Sequence, residues 1–229
     1  MAFYGGNRFT DFLKGPRDHA PTAFRNNMDS FGGWEVVEIY VCRAPLAAPI
    51  YKAIQLFTMG KIDQTLAEKD YDKLYHLYFW IKIKSGQSYR LITLEKNQIV
   101  SLNISPGPHA KGTQMLRCTG YYGTLTGFVV NGNLWQNAKL PGRNFWQYDA
   151  KDNNCQVFVY SCISGNNLQY YQGQQALLNF VMQNTDDLVS KPLWKAAKKI
   201  TDLAGMFDIL MHGKGFYSSD SYSSSEDES

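Results

Sequence analysis

The chain has 229 residues, 44% of them hydrophobic and 14% aromatic, which is enough apolar material for one sizeable core. Its 23 basic and 20 acidic residues nearly balance, so charge gives no reason to expect a nucleic-acid partner. The four cysteines contain no CxxC pair and the four histidines are dispersed, which argues against a disulfide framework and against a zinc site. We therefore expect free thiols and no metal or cofactor.

The first residues match neither a secretory signal nor a transit-peptide pattern. No stretch of the sequence reaches the roughly 20 apolar residues that a membrane span requires. We expect an intracellular protein without a transmembrane span, located in the host cytoplasm or in the virion if it is viral.

In chain order, residues 1–30 mix Gly, Asn, Arg and Pro without a helical or strand period, which indicates a disordered arm. Residues 35–42 are rich in β-branched side chains and partly alternate, so they predict a strand that ends at Arg43-Ala44-Pro45. Residues 47–59 follow a roughly helical rhythm, and Gly60 stands where that helix would end.

The next segments predict an antiparallel meander. Residues 74–84 change from an apolar run to alternation, and Ser85-Gly86-Gln87 has the composition of a tight turn. Residues 89–94 and 98–104 continue as strands. Residues 105–150 contain short aromatic runs separated by glycines, and no period assigns their structure.

The remaining segments favour helices. We expect a short helix over 155–163, a second over 176–182, and a third over 186–211. The third has an apolar stripe opposite a cluster of lysines, which is compatible with contact to a membrane surface. The chain thus divides into a disordered arm (1–30), a core domain (31–170), a C-terminal helical segment (171–214) and a disordered Ser-rich acidic tail (215–229).

The sequence around Cys155 carries the chemistry. Polar capping residues, ending in Asn154, precede the cysteine, and an apolar helix face follows it. A cysteine in a first helical turn feels free N–H groups and the positive end of the helix dipole, and both favour the thiolate. The predicted base is His76, because it lies on a strand that its alternation makes half buried.

Two further roles complete the predicted site. Glu95 and Asn97 are both candidates to orient the imidazole, and we favour Glu95. Gln156 and the backbone N–H of Cys155 are candidates to stabilise an oxyanion, with Asn154 in a supporting position.

The segment Asn154-Cys155-Gln156-Val157-Phe158-Val159 resembles the Asn-Cys-Glu-x-Phe-Val signature of the lecithin-retinol acyltransferase family, a branch of the NlpC-like superfamily. The order of His76 before Cys155 is the order of that family's catalytic pair. The family's second histidine is missing, because Ser88 occupies its position. Some viral proteins carry similar His and Asn-Cys motifs, and the Gly-containing arm and acidic tail would suit such a setting.

The resemblance implies an α+β fold of the circularly permuted papain-like (NlpC-like) type, with an antiparallel meander, a Cys-bearing helix and C-terminal amphipathic helices. It also implies a cysteine-dependent hydrolase or acyltransferase that forms a thioester with a lipid acyl, peptide or amide substrate. The alternative is a non-catalytic protein of the same fold, viral and structural, that binds a membrane or a partner through residues 186–211.

Each candidate residue also has a purely structural interpretation. Cys155 would then be a small core residue, as buried cysteines often are. His76 would be a core histidine bonded to a backbone carbonyl. Glu95 would be a solvent-exposed strand residue beside Lys96.

Overall fold

The computed structural model describes residues 20–46, 51–52, 55–56, 63, 75–97, 99–105, 107, 112–149 and 152–182. The helix predicted over 47–59 falls mostly outside these residues. The helix predicted over 186–211 and the tail over 215–229 fall entirely outside them.

The described elements form an α+β domain with a five-stranded antiparallel sheet, in the order β4-β3-β2-β1-β5. The predicted meander is confirmed as β2, β3 and β4. In chain order the elements are α1 (Thr22–Phe31), β1 (Glu35–Pro45), β2 (Tyr75–Ser85), β3 (Ser88–Lys96), β4 (Val100–Ile104), β5 (Gln114–Cys118), α2 (Leu125–Lys139), α3 (Cys155–Gly165) and α4 (Gln174–Val181).

The hairpin between β2 and β3 sets the geometry of the site. Gly86 has a φ of 57° in the turn, a conformation that glycine adopts without steric cost. The register runs from Ser85 opposite Ser88 to a last pair of Tyr78 opposite Glu95. The first residues of β2, including His76, therefore extend beyond the part of the strand that pairs with β3.

One face of the sheet is covered by α2 and α3. Alternate residues of β2 are completely or almost completely buried, because successive side chains of a strand point to opposite faces: Leu77, Phe79, Ile81 and Ile83. Phe79 makes edge-on ring contacts with Phe128 of α2 at 5.2 Å and with Phe158 of α3 at 6.5 Å between centroids. These contacts hold the Cys-bearing helix against the strand that carries His76.

The helix α2 lies in the region that the sequence pattern left unassigned. It contains Gly127 and Gly132, and it buries the polar residues Asn133 and Gln136, so no apolar stripe is visible in its sequence. The glycines serve close packing, since a Cβ atom on Gly132 would lie 2.7 Å from the Cys162 sulfur of α3. Tertiary contact therefore stabilises a helix that intrinsic propensity disfavours.

The prediction of a disordered arm over residues 1–30 is wrong for residues 20–30. Phe24 and Met28, four residues apart, are buried on one side of α1, and Ala20, which is also buried, precedes the helix. The Phe24 ring packs edge-on against Trp146 at 5.1 Å. Glycine, asparagine and proline in the surrounding sequence concealed this period. Residues 1–19 lie outside the described part of the chain.

Two predicted boundaries also move. The strand β1 does not end at residue 42, because it continues to Pro45, which pairs with Tyr75 of β2. The core domain does not end at residue 170, because Leu177 and Val181 of α4 are buried in the main hydrophobic cluster. The helix predicted over 176–182 is confirmed, with an earlier start.

We expect Gly132→Ala and Gly165→Ala to destabilise the domain by roughly 1–3 kcal/mol each, the usual effect of overpacking a tight contact. The Cβ of Gly132→Ala would meet Cys162, and that of Gly165→Ala would meet the backbone carbonyl of Asn131. Urea unfolding measures both changes.

Gly33→Ala is the matched control, because nothing lies within 4 Å of its added Cβ and its φ is not in the left-handed region. Equal stability of all three variants would contradict the close packing of α2 on α3.

Candidate active site

The cysteine helix begins with a side-chain cap. Asn154 has an extended backbone, and its Oδ1 accepts hydrogen bonds from the backbone N–H groups of Gln156 at 2.9 Å and Val157 at 3.2 Å. This is the arrangement that stabilises a helix start. Cys155 is therefore the first residue of α3, as the sequence predicted, and its thiol lies where the helix dipole favours negative charge.

The thiol of Cys155 meets His76 near the start of β2, where the strand still pairs with β1 but no longer with β3. The Cys155 thiol is hydrogen-bonded to the His76 ring, and hydrogen bonding from the backbone of Leu77 and of Cys155 itself also stabilises the thiolate. Cys155 is partly buried, and the His76 side chain is 18% exposed. The structure thus brings together the two residues that the sequence singled out.

Glu95 binds the imidazole of His76. Its Oε2 lies 2.8 Å from His76 Nε2, so the carboxylate holds the ring through this nitrogen. His76 and Glu95 form a diagonal pair across β2 and β3, because Glu95 lies opposite Tyr78, two residues beyond His76 on the same face. The second carboxylate oxygen accepts a hydrogen bond from Ser101 Oγ at 3.5 Å.

The geometry decides between the candidates for the third position. The side chain of Glu95 is only 9% exposed and contacts the ring, whereas Asn97 is exposed. Ser88 is exposed at the hairpin turn, at the opposite end of β3. The interpretation of Glu95 as a solvent-exposed residue is wrong, and His76 is bonded to side chains rather than to a backbone carbonyl.

Burial and hydrogen bonding have opposite effects on the pKa values of Cys155 and His76. Burial raises the pKa of the Cys155 thiol, but the hydrogen bond and charge of His76 and the nearby backbone N–H groups lower it below its usual value. Burial lowers the pKa of His76, but its bonds to Cys155 and Glu95 raise it above its usual value. Both directions favour a thiolate and imidazolium pair near neutral pH.

The other three cysteines have the opposite character. Cys42, Cys118 and Cys162 are buried free thiols. Burial raises the pKa of Cys42 and of Cys118 to about 12, and it also raises that of Cys162. A buried neutral thiol is a poor nucleophile.

Only some of the groups predicted to stabilise an oxyanion are available for that role. Gln156 is buried directly after the cysteine, but its backbone N–H is already bonded to Asn154. The groups at Cys155 that remain for this role are its own N–H and the Gln156 side chain. Asn154 acts as a helix cap.

A buried polar network beside the site was not predicted from the sequence. Lys96 is fully buried, and its Nζ donates to Asn153 Oδ1 at 2.8 Å. Gln136 Nε2 also donates to that oxygen, and Ser161 Oγ donates to the Gln136 side chain at 3.3 Å. The alternation of β3 could have predicted that Lys96 is buried, because it places Lys96 on the same face as the buried Ile92 and Leu94.

Within the described residues, no group of three or more His, Cys, Asp or Glu side chains is arranged to hold a metal ion. Over the same part of the chain, no helix has the length and apolar character needed to cross a membrane.

Taken together, the contacts define a thiol, imidazole and carboxylate site on an α+β domain. Comparison of the chain with protein-family models, with characterised proteins and with solved structures found no match.

We expect Cys155 to be alkylated by iodoacetamide near neutral pH much faster than Cys42, Cys118 and Cys162, because only the thiolate reacts. Peptide mass spectrometry of the folded protein as a function of pH gives the apparent pKa at each site. That of Cys155 should lie below the ~8.5 of a free thiol.

His76→Ala should raise the apparent pKa of Cys155, because it removes the side chain that lowers it most. An inert Cys155 in the folded wild-type protein, or a labelling profile that is the same in His76→Ala, would contradict the thiolate pair.

Proposed function

We propose that the protein is a cysteine-dependent hydrolase or acyltransferase that works through a thioester on Cys155. The observation that carries the proposal is the contact of a capped helix-start cysteine with His76, whose Nε2 binds Glu95 at 2.8 Å. Acyl transfer through a cysteine needs a nucleophile and a base, and a group that orients the base makes the pair more effective.

In the proposed first half-reaction, the Cys155 thiolate attacks the acyl carbonyl carbon and forms the new C–S bond. The negative charge that develops on the carbonyl oxygen is stabilised by the Cys155 N–H and the Gln156 side chain. The His76 imidazolium then donates its proton to the leaving alcohol or amine as the bond between that group and the carbonyl carbon breaks. The product is a thioester on Cys155 and a neutral imidazole.

In the second half-reaction, His76 removes a proton from water or from an acceptor hydroxyl or amine as that group attacks the thioester carbonyl. The C–S bond breaks, the Cys155 thiolate is restored and the imidazolium is regenerated. Glu95 stays ionised throughout and stabilises the charge on His76. Water as the acceptor gives a hydrolase, and any other acceptor gives a transferase.

We further propose that the domain is of the circularly permuted papain-like type and belongs near the lecithin-retinol acyltransferase branch. The support is the Asn-Cys-x-x-Phe-Val segment at the start of α3 and a His-bearing strand that precedes it in the chain. In this proposal Glu95 takes the orienting role of the second histidine that Ser88 replaces.

The proposed substrates are lipid acyl esters or amides, the class that the resemblance implies. A half-buried thiol at the end of β2 is reachable by an ester or amide that approaches from the surface. The segment 186–211, whose sequence predicts an apolar stripe opposite a cluster of lysines, is the proposed contact to a membrane surface that would supply such substrates.

The direct test is turnover of acyl esters, thioesters and amides by the full chain. We expect the turnover rate of Cys155→Ala to be about a hundredfold lower than that of the wild type, because the nucleophile is gone. Mass spectrometry should detect one acyl group on Cys155 of the wild-type protein.

Cys42→Ala is the matched control, since that thiol is buried in a separate cluster on the sheet. Equal turnover by Cys155→Ala and the wild type would overturn the proposal. Such a result would favour the non-catalytic protein that binds through residues 186–211.

We expect Glu95→Gln to narrow the pH range of turnover from the alkaline side. The thiolate forms as the pH rises through the lowered pKa of Cys155, and the imidazolium is lost as the pH rises through the raised pKa of His76. Loss of the Glu95 charge should lower the upper pKa by roughly one unit or more. The kcat/KM profile against pH measures it.

Glu38→Gln serves as the control, because Glu38 pairs with Lys82 on a part of the sheet away from His76. An upper limb that stays in place in Glu95→Gln would rule out the orienting role of that carboxylate.

A further inference from the structure

Lys96 is a fully buried ionisable side chain that the proposed reaction does not use. Its Nζ donates to Asn153 Oδ1 at 2.8 Å, and within the described residues no carboxylate forms an ion pair with it. An ammonium group without a carboxylate partner is costly to bury. Its presence therefore calls for a role beyond packing.

The partner of Lys96 is the residue that connects the preceding loop to the cysteine helix. Asn153 Nδ2 donates to the backbone carbonyls of Asn144 at 2.5 Å and Gln147 at 2.6 Å. The Asn153 backbone forms a two-way bridge with Asp149. Asn153 thus fixes the loop that enters α3, two residues before Cys155, and Lys96 binds the remaining side-chain oxygen.

β3 consequently supports the site from two adjacent residues. Glu95 points to one face and holds His76, while Lys96 points to the other face and holds Asn153. The same end of β3 therefore holds both the imidazole and the start of α3 in place. A shift of either relative to the other would change the contact between the thiol and the ring.

We propose that Lys96 is a positioning residue of the thiol site: through Asn153 it fixes the start of α3, and its positive charge favours the Cys155 thiolate. This inference rests on the proposed function, because it concerns the same nucleophile.

The electrostatic surroundings support the second part. Burial lowers the pKa of Lys96 to about 7, and the negative charge of the Cys155 thiolate acts in the opposite direction. Among the described residues, the titratable groups that act on Lys96 are the thiols of Cys155 and Cys162 on α3, while Glu95 and His76 lie on the other face of the sheet. Coupling between two sites is reciprocal, so a thiolate that favours the protonated lysine is itself favoured by it.

The first experiment compares the alkylation of Cys155 against pH in the wild type, Lys96→Met and Lys82→Met. Methionine removes the charge at similar length. Lys82 is the matched control because it lies on the neighbouring strand and pairs with Glu38 at the surface. We expect Lys96→Met to slow labelling about tenfold below the thiol pKa, through a rise of roughly one unit in that pKa, with no change in Lys82→Met.

A folded Lys96→Met with the wild-type apparent pKa of Cys155 would overturn the inference, because a merely structural lysine would change stability and leave the thiol pKa in place. Urea unfolding of the same samples reports stability separately.

A second measurement leaves Lys96 in place and decides the matter if Lys96→Met does not fold. The ¹⁵Nζ signal of Lys96, followed by NMR against pH in lysine-labelled protein, gives its pKa in the wild type and in Cys155→Ala. We expect a lower pKa in Cys155→Ala, since the thiolate is lost, and an unchanged value would overturn the inference.

The outcomes also separate the two proposals. Slow wild-type labelling of Cys155 at neutral pH would count against the proposed function. Fast wild-type labelling that is unaffected in Lys96→Met would remove the role of Lys96 alone.

Discussion

The hydrogen bond between the Cys155 thiol and the His76 ring imposes a geometric requirement on the whole domain. A helix start must meet a side chain of β2 at a point where that strand is no longer flanked by β3. β2 meets this requirement because its pairing with β3 ends at Tyr78 opposite Glu95, and His76 lies just beyond. The register of a single hairpin therefore decides whether the site can form.

The helices hold the thiol at that point by packing rather than by local preference. The core contacts of Phe79 with both helices fix α3 against β2, and the close approach at Gly132 fixes α2 against α3. Because protein interiors are densely packed, small displacements of such a pair are costly. The Asn154 cap then sets the helix start to within one residue, which places Cys155 rather than a neighbour at the dipole end.

β3 explains why charged groups are tolerated in the interior of this domain. Glu95 is compensated by His76, and Lys96 is held by an asparagine that itself satisfies two backbone carbonyls. A satisfied polar network can specify one arrangement of a core where apolar residues would allow several. Here the network lies between the loop that enters α3 and the strand that carries the Glu95 carboxylate. It therefore fixes the relative positions of the groups that form the site.

The sequence by itself determined the elements that rest on local physics: the β2 to β4 meander and the capped helix at Cys155. His76 was predicted as the partner of Cys155 from its half-buried strand and from the family resemblance. Strand alternation and cap chemistry act between near neighbours, so they are legible in one chain. Only the tertiary structure decided that Glu95 rather than Asn97 meets the imidazole, that Lys96 is buried, and that α1 and α2 form at all. These features depend on register and packing between segments distant in sequence, where burial outweighs the propensity of glycine-containing stretches.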